Sequence, residues 1–144
     1  MKPVIIHRTT AFTPTELFAI AADIEAYPEF LPNCVATRIT ARDGGALLVD
    51  NVFRWGPLPI SFRTRASLDP PHAIAIRSVG SLLIDLALTW RFDACDGGTD
   101  VTFEMDLKLP VPGLDGLLEN TARAQAEETE QAFLRRVKQR YNRP

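Results

Sequence analysis
From Leu82 to Asp93 the chain alternates strictly. Leu82, Ile84, Leu86, Leu88, Trp90 and Phe92 are apolar, and Asp85, Thr89, Arg91 and Asp93 lie between them. A period of two over this length predicts a β-strand with one buried and one wet face. After the turn Asp96-Gly97-Gly98 the pattern repeats, with Val101, Phe103, Met105, Leu107 and Leu109 set against Thr102, Glu104, Asp106 and Lys108, until Pro110 and Pro112 close the strand. Upstream, Val35 and Ile39 alternate with Arg38 and Arg42, and Asp43-Gly44-Gly45 marks a hairpin. Leu47, Val49, Asn51, Phe53 and Trp55 then share one face, with Asp50 and Arg54 opposite. After Gly56-Pro57-Leu58-Pro59, the residues Ile60, Phe62, Thr64, Ala66 and Leu68 do the same against Arg63 and Arg65. Asp69-Pro70-Pro71 is a further turn, followed by Ile74, Ile76 and Ser78 alternating with Arg77.

The two ends of the chain read differently. Val4 to Phe12 predicts a first strand. Thr13, Pro14 and Glu16 form a helix-start signature, and Leu17, Ile20, Ala21 and Ile24 recur at helical spacing. The spacing breaks near Asp23 and resumes through Ala26, Tyr27 and Phe30, which predicts two short helices, the second ended by Pro32. From about Leu114 to Tyr141 the composition predicts one long helix. Asp115 and Glu119 near its start, and Arg135, Arg136, Lys138 and Arg140 near its end, complement the helix dipole. The expected fold is α+β: a curved antiparallel sheet of about seven strands, two short helices after the first strand, and a long C-terminal helix over the concave face. Residues 1–144 read as a single domain, without repeats or linkers.

A large apolar sheet face needs a cover. On the side continuous with Leu118, the long helix offers Thr121, Ala122, Gln125, Thr129 and Ala132, where a helix selected only for packing would carry Leu or Ile. Small residues facing large ones fit either interdigitation or space for a ligand. Asn51, Thr64, Ser78, Thr121 and Gln125 favour the second, because a buried polar group without a partner costs roughly 1–3 kcal/mol. A few convergent polar groups in an apolar pocket are what small-molecule sites use. The candidate ligand-binding residues are Tyr27, Phe30, Leu31, Asn51, Phe53, Phe62, Thr64, Ile76, Ser78, Leu86, Leu88, Trp90, Phe103, Met105, Thr121 and Gln125.

Composition narrows the function classes. The 144 residues carry a net charge of −2, so no global field draws the chain to nucleic acid, and no DNA partner is expected. Cys34 and Cys95 lie far apart without metal-ligand spacing and are expected as free thiols. With no visible signal peptide, a cytoplasmic protein is expected, or one peripheral at a membrane. His7 and His72 are isolated, no catalytic or metal-binding motif appears, and neither a catalytic residue nor a cofactor is expected. Arg54, Arg63, Arg65, Arg77 and Arg91 fall on the wet face, either as an RNA- or ribosome-binding patch or as a solvated face paired with Asp50, Asp85, Glu104 and Asp106. Trp55 and Leu58 at a hairpin tip could gate a pocket or touch a membrane surface, or pack locally.

The segment Tyr27-Pro28-Glu29-Phe30-Leu31-Pro32-Asn33-Cys34 resembles the YPxFLPxC signature of the coenzyme Q-binding and ribosome-association-toxin family, within the polyketide cyclase/START-like helix-grip superfamily. Gly80, Leu86, Trp90, Phe92, Thr99, Val101, Phe103, Ala132, Phe133 and Arg136 add looser matches, and Gly80-Ser81-Leu82 departs from the pattern. The resemblance implies a helix-grip (START/Bet v 1-like) fold and binding or transport of a hydrophobic molecule, with ubiquinone, a polyprenyl or a lipid as ligand. The alternatives are a polyketide cyclase or aromatase, and a ribosome-associating protein.

Overall fold
The computed structural model describes residues 3–55, 57–80, 84–108 and 115–142; the side chains of residues 55 and 115–120 fall outside that description. The chain runs β1 (Val4–Thr10), α1 (Pro14–Ala22), a 3-10 helix (Ile24–Glu29), β2 (Cys34–Asp43), β3 (Ala46–Trp55), β4 (Leu58–Asp69), β5 (Ala73–Val79), β6 (Asp85–Cys95), β7 (Gly98–Lys108) and α2 (Asp115–Tyr141). The seven strands form one antiparallel sheet in the order β1-β7-β6-β5-β4-β3-β2. Six of them are a meander, and β1 is added to its end beside β7.

Local chemistry accounts for these elements. Thr13 caps α1 with a full capping box: its Oγ accepts from Glu16 N–H, and the Glu16 carboxylate accepts from Thr13 N–H. The turns at Gly44 and Gly97 need a positive φ, +59° and +82°, which glycine adopts without strain. Along β6, Trp90 and Phe92 are buried while Asp85, Arg91 and Asp93 are exposed. Leu82, Leu109, Pro110 and Pro112 lie outside the described residues.

Strand β2 departs from the expected alternation. Register shifts between Cys34 and Ala36, and between Ile39 and Ala41, insert extra residues against β3. Cys34 and Thr37 therefore turn inward, and Val35, expected on the buried face, points to solvent. Helix α2 contains Gly116 in its first turn and no proline.

The solid core lies at one end of the sheet. Trp90 packs against Phe103 and Phe133, with ring centroids 4.4 and 4.3 Å apart. Leu17, Ile74, Phe92, Val101 and Val137 are fully buried around them. Glu130 of α2 is buried there too, and Arg8 of β1 donates through Nε to both of its carboxylate oxygens. That pair ties the far edge of the sheet to the covering helix.

Candidate functional site
Burial changes along the strands. On β4 the inward residues run from fully buried Ala66 and Thr64 to half-buried Phe62 and Ile60. On β6 they run from Phe92 and Trp90 to half-buried Leu88 and Leu86, and on β7 from Phe103 and Met105 to half-buried Leu107. On β3, Val49 and Asn51 are buried and Phe53 only partly so. Strands β3, β4, β6 and β7, on both sides of β5, thus leave large apolar side chains incompletely covered at the same end. Helix α2 explains why: Phe133, Leu134 and Val137 fill its C-terminal half, whereas Thr121, Ala122, Gln125 and Thr129 face the sheet further back.

The space between is a cavity of about 290 Å³. That is close to the lower end of small-molecule sites, which span roughly 300–1,000 Å³. Its walls are mainly aliphatic and aromatic. Ile76, Ile84, Leu86, Leu88, Met105 and Leu107 come from the sheet side, and Trp90 and Phe133 close the inner end.

Polar residues, among them Asn51, Thr64, Gln125 and Thr129, are interspersed with them. The Asn51 amide nitrogen donates to the carbonyls of Val49 and Phe62, each at 3.2 Å, and to Thr64 Oγ at 3.0 Å. Thr129 on α2 is turned onto its own helix, its hydroxyl donating to the Gln125 carbonyl at 2.8 Å.

The 3-10 helix and the residues after it form one wall, through Ile24, Tyr27, Phe30, Leu31 and Asn33. Tyr27 donates its hydroxyl to the Ala21 carbonyl and meets Phe30 edge-on, with centroids 5.8 Å apart. Arg136 of α2 stacks over the Phe30 ring at 5.2 Å and pairs with Glu29 at 2.8 Å, which clamps this wall to the helix. Asn33 takes a positive φ of 65°, and its carbonyl accepts from Arg54 N–H at 2.8 Å, bringing Asn33 and Arg54 to the cavity rim. Burial raises the Cys34 thiol to about 12, and burial also raises the Tyr27 phenol, so both stay protonated at neutral pH.

A family described as polyketide cyclase / dehydrase and lipid transport matches residues 10–138. The chain belongs to this family. A ribosome association toxin RatA from Rickettsia prowazekii is 28% identical over 138 residues, covering 89% of this chain and 90% of the relative. Among solved structures, the Zhui aromatase/cyclase of a Streptomyces species superposes with a TM-score of 0.84 at 19% identity, covering 97% and 95% of the two chains. A STAR-related lipid transfer protein from Xanthomonas axonopodis gives 0.78 at 12% identity, covering 94% and 85%. The fold is therefore the START-like, polyketide cyclase-like helix grip.

In this family member the cavity gathers Tyr27, Phe30, Leu31, Asn51, Phe53, Phe62, Thr64, Ile76, Leu86, Leu88, Trp90, Met105, Thr121 and Gln125. Two expected residues are elsewhere. Phe103 is wholly buried beneath Trp90, so the Trp90 ring separates it from the cavity. Ser78 is not in the lining, and its hydroxyl accepts the Leu86 N–H at 2.9 Å at the β5–β6 junction. Ala132 likewise packs in the core and does not face the cavity.

The candidate residues read from the sequence did not include Ile24, Asn33, Arg54, Ile60, Ile84, Leu107, Ala122, Thr129 and Phe133, which also line the cavity. Ile84 and Leu107 continue the alternation of their strands and were findable from it. Asn33 reaches the rim through a backbone twist that no periodicity encodes.

On the outer face, Arg63 pairs with Asp50 at 2.9 Å, and Arg65 approaches Asp43 at 4.0 Å. Leu58 is 65% exposed at the β3–β4 turn; the Trp55 side chain and Gly56 lie outside the described residues. Cys34 and Cys95 are both free. Among the described residues no helix is long and apolar enough to cross a membrane.

Proposed function
We propose that this protein binds and carries an apolar small molecule, of quinone, polyprenyl or lipid-like build, under α2, and does so without altering it chemically. The observation that supports this most is the shared loss of burial of Phe53, Phe62, Leu86 and Leu88 towards one end of three strands, opposite small and polar helix residues. Half-covered large apolar side chains lose favourable burial at about 25 cal/mol per Å². A bound apolar molecule restores it. The described groups around the cavity are hydrocarbon, amide and hydroxyl, with the Met105 thioether, the Trp90 indole, one guanidinium at the rim and the buried Tyr27 phenol in one wall. That inventory suits holding a ligand better than moving its protons. Leu58 at the exposed β3–β4 turn, two residues from cavity-lining Ile60, is where the protein would touch a bilayer surface to collect its load.

The test is organic extraction of the purified protein followed by mass spectrometry, with titration of the apolar fluorophore N-phenylnaphthylamine. A stoichiometric co-purifying lipid or quinone, and saturable probe binding displaced by ubiquinone or a fatty acid, are expected. Absence of both rejects the carrier reading. Conversion of an added poly-β-ketone chain replaces it with a cyclase.

A second reading, ribosome binding, draws on the name of the Rickettsia relative and on one feature of the outer face. Arg65 and Arg77 stand directly opposite each other across β4 and β5. Like charges so placed are destabilising in a free sheet, and an anionic partner would relieve them. Salt-sensitive co-sedimentation with ribosomes, abolished in Arg65→Glu/Arg77→Glu, is the outcome this reading requires.

A further inference from the structure
We infer that the Asn51–Thr64 pair makes the cavity selective for an apolar ligand that carries a hydroxyl group, in preference to one whose oxygen is a carbonyl or an ether. This deepens the carrier reading and rests on it.

Asn51 and Thr64 are diagonal neighbours on β3 and β4, since Asn51 is in register with Phe62, and Val49 with Thr64. Both line the cavity, and they are only 7% and 4% exposed. The two hydrogens of the Asn51 amide nitrogen are shared among two strand carbonyls and Thr64 Oγ. The two carbonyls, which can only accept, fix which end of the carboxamide is nitrogen. The planar group therefore turns its Oδ1 away from the strand, and among the described residues nothing donates to that oxygen. Thr64 Oγ accepts from Asn51, and its own hydrogen has no acceptor among the described residues. One unused acceptor and one unused donor thus lie side by side at an apolar wall.

A ligand hydroxyl satisfies both: its oxygen accepts from Thr64 O–H, and its hydrogen goes to Asn51 Oδ1. A carbonyl or ether oxygen takes the threonine hydrogen only, and leaves two acceptor oxygens facing each other. Within a quinone-like class, this favours the hydroxyl-bearing reduced form over the dicarbonyl form. A site built to hydrogen-bond a hydroxyl discriminates against analogues lacking it, because its own buried groups are then left unpaired.

The experiment titrates the full chain with three probes of one shape, β-naphthol, its methyl ether and naphthalene, by calorimetry. The ether is the more apolar of the first two, so apolar burial alone would favour it. We expect naphthol to bind about tenfold more tightly than the ether, the effect of roughly one hydrogen bond. In Thr64→Val, which keeps the side-chain shape, the preference is expected to fall to within about twofold; Thr64→Ser is expected to retain it. Asn51→Leu tests the acceptor in the same way, and the threonine variants decide the matter if that protein does not fold. Equal binding of naphthol and ether to the native chain, or a preference that survives Thr64→Val, overturns the inference while leaving the carrier reading intact. Failure of all three probes to bind overturns both.

Discussion

Ala122→Leu separates an unfilled cavity from a packed core by the sign of its effect. Ala122 lines the cavity from α2, directly opposite the half-covered strand residues. Leucine adds three carbons. In unfilled apolar space they gain about 0.8 kcal/mol each, roughly 2.4 kcal/mol in all. Fixing the side chain costs about 0.5–1 kcal/mol, which leaves a net stabilisation of about 1.5 kcal/mol. In a well-packed core the same change costs about 1–3 kcal/mol through strain. The assay is urea unfolding of both proteins. With a slope of about 1.5 kcal/mol/M, the midpoint is expected to rise by about 1 M while the slope stays unchanged. The same substitution occupies ligand space, so N-phenylnaphthylamine affinity is expected to fall at least about tenfold, the effect of about 1.4 kcal/mol. A midpoint that falls, with probe binding unchanged, would refute the cavity argument.

Three further outcomes follow from the packing. Arg8→Ala leaves the Glu130 carboxylate buried without its partner and is expected to cost about 3 kcal/mol, whereas Arg136→Ala, at the exposed Glu29 pair, is expected to cost at most about 1 kcal/mol; thermal melts showing equal losses would contradict this. Gly98→Ala places a Cβ 1.8 Å from the Thr10 carbonyl oxygen, a backbone clash expected to cost about 2 kcal/mol or more by splaying β1 from β7, read by hydrogen exchange on those strands. For Cys34 the folded value is raised from 9.0 to about 12, so the folded state binds the thiol proton more tightly than the unfolded state. That contribution to stability is complete below pH 9 and is lost as pH rises towards 12, with Tyr27 acting in the same direction. Alkaline unfolding curves are expected to be shallower in Cys34→Ala, and a thiol reagent at pH 8 is expected to label Cys95 before Cys34.

Much of this was legible because β-strands write their burial into the chain. The alternations at Leu82–Asp93 and Val101–Leu109 located β6 and β7, and glycine pairs marked the hairpins before β3 and β7. Thr13 and Glu16 announced α1 at the right residue. The bulges in β2 were not legible, because an inserted residue reverses the facing of everything after it without leaving a compositional mark; Val35 was misplaced for that reason. Glu130 reads as one more polar residue of a charged helix, and its burial depends on Arg8, 122 positions away. Phe103 and Met105 occupy equivalent inward positions on β7, yet one lies under Trp90 and the other faces the cavity. Only the placement of the Trp90 ring distinguishes them, and that is a property of the assembled core. The site was therefore readable as a face of the sheet and unreadable as an exact outline.

The claim that matters most is that the space beneath α2 is not occupied by the protein itself. Apolar cavities that stay free of water bind xenon. A crystal of the protein held under xenon pressure is predicted to show ordered xenon density among Leu88, Met105 and Ala122. Refined coordinates with no xenon there, and with the side chains of Leu86, Leu88 and Met105 closed against α2, would contradict the account.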